Sequence, residues 1–268
     1  MGLFDKKFCS ICGEKIGLLG NRKLEDGNLC KNCAAKLSPF FSERRSSTVD
    51  EIKEQLAYRE QNRENLRSFH TTRTINAERN ILLDEDNKKF VISNARDLID
   101  ANPDIIDYEM VTGATLDISE RKDELKWKNK EGQMVSYNPP KYEFDYDFHV
   151  NIDVNHPYFN RITVDVNNSS ITCPQAKNAM RLPGQAVATT VNSGAARPEY
   201  TTEYREAEKK GKEIVRLLTS MRTTVRRDMA AAARAAEIAK KPVICPFCGA
   251  TTVPDANGCC EYCGSPVR

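Results

Sequence analysis

The hydrophobic positions along this chain change period several times, and each change marks a different kind of element. Val49, Ile52, Leu56 and Arg59 recur at helical spacing behind Ser46-Ser47-Thr48, with Asp50 and Glu51 in the first turn, which predicts a capped amphipathic linker helix within residues 43–68. From about Thr71 the period shortens. Asn80 to Asp84 and Lys88 to Ser93 flank a turn and read as a hairpin, and residues 110–119 read as a further strand. The clearest alternation sets Tyr146, Phe148, Val150, Ile152 and Val154 against Asp147, His149, Asn151 and Asp153, and it resumes at Ile162, Val164 and Val166. A β-meander accounts for this run. Residues 167–198, punctuated by Pro174, Pro183, Gly184, Gly194 and Pro198, are expected to form a long mobile loop. Helical spacing then returns. Tyr200, Tyr204, Ala207, Gly211, Ile214, Leu218, Met221 and Val225 are separated by alternating fours and threes, and an alanine-rich tail carries the helix toward Pro242.

With 40% hydrophobic and 29% charged residues in 268, the chain is polar for a globular protein, so part of it must be held by something other than a large core. The ten cysteines indicate what: nine lie within residues 9–33 and 245–263, and only Cys173 lies between. The first cluster is Cys9-x2-Cys12-x17-Cys30-x2-Cys33. The second is Cys245-x2-Cys248-x11-Cys260-x2-Cys263. Two residues between cysteines let both sulfurs of a knuckle reach one tetrahedral ion, and two knuckles close a four-thiolate shell that leaves no position for water. Both sites are therefore expected to hold structural zinc, two ions per chain, and metal binding would supply the folding energy that so short a module lacks. Cys259 is a rival to Cys260. The choice falls on Cys260, which keeps the two-residue spacing and leaves Gly264 after Cys263 as Gly249 follows Cys248; exchange between the two cysteines stays open.

The first knuckle pair, the turn signals Gly20-Asn21 and Asp26-Gly27, and the run Ala34-Ala35-Lys36-Leu37 give the order of a treble clef: knuckle, hairpin, knuckle, helix. With the stretch from Leu24 to Leu37, these residues resemble a family of small four-cysteine zinc fingers at the N-termini of bacterial proteins of uncharacterised function, over residues 8–42. The second cluster is similar to the zinc-ribbon tails of many bacterial and archaeal multidomain proteins. Several strands closed by one C-terminal helix resemble the pleckstrin-homology-like plan. The expected fold class is thus α+β: a treble-clef-like finger at 1–42, the linker helix at 43–68, a β-rich pleckstrin-homology-like body at 69–241 that includes loop 167–198 and a basic helix at 199–241, and a zinc ribbon at 242–268.

Charge bears on partners. Residues 84–153 carry seventeen acidic against nine basic side chains, and residues 205–241 eleven basic against five acidic. The basic helix is expected to be satisfied by the chain's own acidic sheet, and thiolate-bound zinc would lower the formal net charge of +2 further. Both points weaken a nucleic-acid reading. Phosphate-binding, zinc-protease and nucleophile-elbow motifs are absent, and the histidines stand apart at 70, 149 and 156, His149 on the wet face and His156 in a loop. No enzyme is expected. Neither a secretory leader nor a transmembrane run is visible, which predicts a soluble cytoplasmic protein. The function this supports is a non-enzymatic zinc-binding adaptor for a protein partner. The alternatives are nucleic-acid binding through the basic helix and ribbon, or a redox sensor that releases zinc on oxidation, with Cys259 as spare thiol.

Overall fold

Between the first four cysteines the chain has room only for two-residue strands. In the computed structural model, which describes residues 7–180, 189–239, 241–255 and 257–267, β1 (Lys7–Phe8) pairs with β2 (Lys15–Ile16), and β3 (Arg22–Lys23) with β4 (Asn28–Leu29). A one-turn helix, α1 (Lys31–Ala34), follows directly, with Cys30 as its N-cap. Ile16, Leu24, Leu29, Leu37 and Ile52 are the aliphatic core here, too few to hold a finger without help.

Ile52 belongs to the second helix, α2 (Val49–Leu66). Its start is fixed by a capping box: the Thr48 hydroxyl accepts from the Glu51 N–H while the Glu51 carboxylate accepts from the Thr48 N–H. The Asp26 carboxylate accepts from the Val49 N–H and ties the helix to the finger. The buried stripe is Ile52, Gln55, Arg59, Asn62 and Leu66, whereas Val49 and Leu56 of the expected stripe are only half-buried. One end of α2 therefore packs in the finger core, and Leu66 at the other packs with Val91 and Ile105. Its middle buries polar groups instead.

The body opens with an antiparallel sheet in sequence order, β5 (Arg73–Ile75), β6 (Ile81–Asp84), β7 (Lys89–Ile92) and, after a one-turn α3 (Leu98–Ala101), β8 (Ile106–Asp107). The expected hairpin is β6–β7, with Leu83 opposite Phe90. A second sheet then forms from β9 (Val111–Lys128), β10 (Met134–His156) and β11 (Phe159–Asp165), with β10 between the other two. Phe148, Val150, Ile152, Ile162 and Val164 on β10 and β11 are fully buried, which is the face the alternation identified. Both β9 and β10 run far beyond the expected strands.

Residues 167–198, expected as a loop, contain two strands, β12 (Ile171–Met180) and β13 (Thr189–Ala196); residues 181–188 lie outside the described part. β12 pairs with β10 over residues 171–174 and then with β13. Their small polar residues and Pro174 mask the strand signal, because the ladder is built from backbone and needs no apolar alternation. Cys173, which falls within the expected loop, is buried opposite Phe144, with Sγ 3.3 Å from Thr201 Oγ1.

The long helix α4 (Thr202–Ala239) begins in this unit, which spans Met1–Thr219. Ala207, Ile214 and Leu218 point inward, and Gly211 passes so close to β9 that a Cβ there would lie 2.5 Å from Leu116 Cδ1. The Tyr204 ring sits edge-on to Tyr146 and Phe148, with centroids 5.0 and 4.9 Å away. The second unit, Ser220–Arg268, holds the rest of α4, where Met221 and Val225 continue the buried stripe, and a small hairpin of β14 (Val243–Ile244) and β15 (Thr251–Thr252). The fold is α+β, rich in strand, with a long C-terminal helix and a four-cysteine cluster near each end.

Candidate metal centres

One turn recurs at three of the four knuckles. The Cys9 N–H donates to the Glu14 carbonyl and the Gly13 N–H to the Cys9 carbonyl; Cys245 with Ala250 and Gly249, and Cys260 with Ser265 and Gly264, repeat the pattern. The glycine that closes each turn has φ between 70° and 73°, a left-handed conformation that side chains other than glycine adopt at a cost. The fourth knuckle differs. Cys30 caps α1 and its sulfur accepts from the Cys33 N–H, so this pair is presented by a helix start.

These turns bring Cys9, Cys12, Cys30 and Cys33 together in the first unit, and Cys245, Cys248, Cys260 and Cys263 in the second, with the sulfurs of each set within 4.8 Å of one another. The separations Cys12–Cys30, Cys245–Cys263 and Cys248–Cys260 are 3.7, 3.6 and 3.7 Å. A regular tetrahedron of sulfurs about 2.3 Å from a central ion has edges of about 3.8 Å, so both clusters fit one four-coordinate metal ion. Cys259 lies outside the second set, half-exposed, and the knuckle turn begins at its neighbour Cys260.

The backbone also prepares the sulfurs for charge. Burial opposes ionisation of Cys9, yet donors from the backbone of Cys12, Cys30 and Ile11 outweigh it and bring the thiol down to about 6. Burial and the neighbouring sulfurs push Cys33 strongly upward. In the second cluster the Ser265 backbone and hydroxyl lower Cys263 to about 6, while Cys248 rises to about 12 because the sulfurs beside it outweigh the help of the Ala250 backbone. Four sulfurs this close cannot all ionise alone. A bound cation removes that conflict, and the metal then displaces protons as it binds.

The histidines and strand carboxylates are placed structurally. His149, expected on the wet face, is half-buried with Nδ1 2.6 Å from Asp165. His156, expected in a loop, ends β10 and is buried: it stacks on Phe159 at 3.9 Å and lies 2.8 Å from the Tyr58 hydroxyl. The sequence offered no sign of this, since Tyr58 is on a helix about a hundred residues earlier. Asp145 pairs with Arg121, and Asp153 with Arg161. Both of these carboxylates find their partners within the sheet. In the first unit Lys212 pairs with Glu208 of the same helix, Lys210 donates to the Val166 carbonyl, and Arg216 is exposed.

Residues 7–55 match a family described as a domain of unknown function (DUF4428), which covers the first cluster and the start of α2. No curated protein and no solved structure matches the chain. Among the described residues, no helix is long and apolar enough to cross a membrane.

Proposed function

We propose that this chain is a non-enzymatic zinc protein that serves as an adaptor, with one structural zinc ion in each cluster and a protein as its partner. The observation that carries this reading is the closed geometry of both clusters: four sulfurs at tetrahedral spacing supply a full shell, and an all-thiolate donor set suits zinc. Cys9, Cys12, Cys30 and Cys33 hold the first ion and Cys245, Cys248, Cys260 and Cys263 the second. Each ion fixes knuckles that a core this small would leave loose. A four-stranded and a five-stranded antiparallel sheet followed by a long helix are the features behind a pleckstrin-homology-like reading of the body, although the second sheet carries two strands, β12 and β13, beyond that plan. Affinity capture from the native cell, with and without nuclease, tests the adaptor role. Proteins retained after nuclease, and lost when Cys260→Ser disrupts the second site, are the expected result; retention abolished by nuclease overturns it.

A second reading, nucleic-acid binding, is favoured by a cleft of about 800 Å³ beside β3 whose lining includes Arg22, Lys23, Arg44 and Arg45 against one acidic residue, Glu25. Partial burial, with Arg45 and Arg22 close by, lowers the Arg44 pKa, a crowding that phosphate would relieve. Binding to DNA or RNA that falls steeply with salt and is lost in Arg44→Gln/Arg45→Gln would decide for this reading.

A further inference from the structure

The distal halves of β9 and β10 form a two-stranded ribbon that runs on beyond the pairing of β10 with β11 and β12. From Met134 to Tyr142, β10 pairs with no described strand but β9, and residues 119–128 of β9 are exposed on both faces. A tight turn closes the tip, where the Asn129 N–H donates to the Gln133 carbonyl and Gly132 takes φ 82°. From Asp123 to the turn the ribbon extends roughly 20 Å at about 3.3 Å per residue.

Strand alternation sorts its side chains. Leu125, Trp127 and Val135 share one face, with Trp127 directly opposite Val135, and after an irregularity at residues 137–140 Lys141 stands opposite Leu125. Lys126 and Lys128 share the other with Met134. Leu125, Trp127 and Met134 are 39%, 45% and 62% exposed. Residues 125–141 contain four lysines, one glutamate and no arginine, and Lys126, Lys128 and Lys130 form no ion pair with a described residue. A lone two-stranded ribbon is marginal in water, so an exposed one that carries the chain's single tryptophan gains stability where its apolar face is covered.

We propose that this ribbon is a docking arm for an anionic membrane surface: Leu125, Trp127 and Val135 lie at the bilayer interface, and Lys126, Lys128 and Lys130 contact lipid phosphates. Tryptophan prefers the headgroup level, and lysine stems reach past apolar surface to place their charge there. Each lysine adds attraction to an anionic leaflet. The outer edge of β9 has no strand partner among the described residues, so the arm rests at the interface and does not enter the hydrocarbon. A second copy of the arm would meet like charge. A nucleic acid would be better served by arginine forks than by lysines beside leucine, valine and methionine.

Because Trp127 is the only tryptophan, its emission reports on the arm alone. The full chain with its metal is mixed with vesicles of phosphatidylcholine, or of phosphatidylcholine with phosphatidylglycerol. Co-sedimentation with the anionic vesicles only, and a blue shift of the Trp127 emission, are expected. Lys126→Gln/Lys128→Gln should weaken vesicle binding by roughly thirtyfold, and Leu125→Ser should weaken it and reduce the blue shift; metal content and melting temperature should be unchanged in both. Failure to bind anionic vesicles, binding with unaltered emission, equal binding to neutral vesicles, or quenching by single-stranded oligonucleotide without a vesicle response would each overturn the proposal.

Discussion

Arg59 on α2 and Asp104 before β8 form an ion pair 2.5 Å apart, their side chains 6% and 0% exposed. The network around it is polar and nearly closed. Ser38, from the finger, donates to the other Asp104 oxygen, and Arg59 also donates to the Asn102 carbonyl. Asn62 donates to Asn102 and to the Pro103 carbonyl, and it accepts from the Ile105 N–H. Finger, α2 and first sheet thus meet at hydrogen bonds, which fix angle and register more sharply than an apolar contact does. Burial outweighs both Arg59 and Ser38 and pushes the Asp104 carboxyl up, so the pair specifies the arrangement more than it adds net stability.

Removing one partner should therefore be worse than removing both. Asp104→Ala leaves the Arg59 charge buried and should destabilise the chain by about 3–5 kcal/mol. Arg59→Met with Asp104→Leu should recover part of that loss. Urea denaturation of the zinc-loaded protein measures both; a double variant no better than the single would show that the pair itself supplies the stability.

The cysteine clusters yield a stoichiometric prediction. Protein purified without added metal should contain close to two zinc ions per chain, one for each set of four sulfurs. Cys260→Ser should lower the content by one ion, and Cys259→Ser should leave it unchanged, because the knuckle turn is built on Cys260. Equal losses in elemental analysis would mean that the two cysteines exchange.

The spacing of Cys245, Cys248, Cys260 and Cys263 was legible in the sequence because a knuckle is a local turn that needs only two sulfurs and a glycine. The buried stretch of β10 from Tyr146 to Val154 was legible because one face is apolar and the other wet. Its distal half is wet on both faces, so nothing marked it as strand, and β12 and β13 were hidden by small polar residues and Pro174. The middle of α2 was opaque for a different reason. Arg59 was legible as a position on the stripe but Gln55 and Asn62 carry no apolar signal, and the groups that receive Arg59 and Asn62, at Asn102, Pro103 and Asp104, lie some forty residues on and carry no pattern that would announce them.

Close approach of α4 to β9 predicts a steric effect at Gly211. A Cβ would already meet Leu116 Cδ1 at 2.5 Å and Cδ2 at 3.2 Å. Gly211→Ala leaves Leu116 room to rotate and also gains helix propensity, so its effect should be small. Gly211→Val adds two methyl groups where none fits and should cost about 1–3 kcal/mol. Thermal melting of the two variants separates the cases; equal stability would show that the helix slides on the sheet.

His156 makes stability depend on pH, and its sign follows from its surroundings. Its Nδ1 accepts from the Tyr158 N–H, so in the neutral ring the proton sits on Nε2 and is donated to the Tyr58 hydroxyl oxygen. Burial, and then the Arg59 charge, lower its pKa to about 4. The folded protein therefore stays neutral at this ring where the unfolded chain, with an ordinary value near 6.5, takes up a proton. Stability from this group is complete above about pH 6.5 and declines as the pH falls toward 4, by at most about 3 kcal/mol in all and by about 1 kcal/mol between pH 7 and 5.5. His156→Gln keeps a donor for Tyr58 but cannot titrate. It should be less stable than the wild type at pH 7, since it forfeits the stacking on Phe159, and the gap should narrow by about 1 kcal/mol at pH 5.5. Urea denaturation at the two pH values gives the difference directly. A gap that stays constant or widens in acid would mean that the ring is protonated in the folded state and that Tyr58 accepts from an imidazolium.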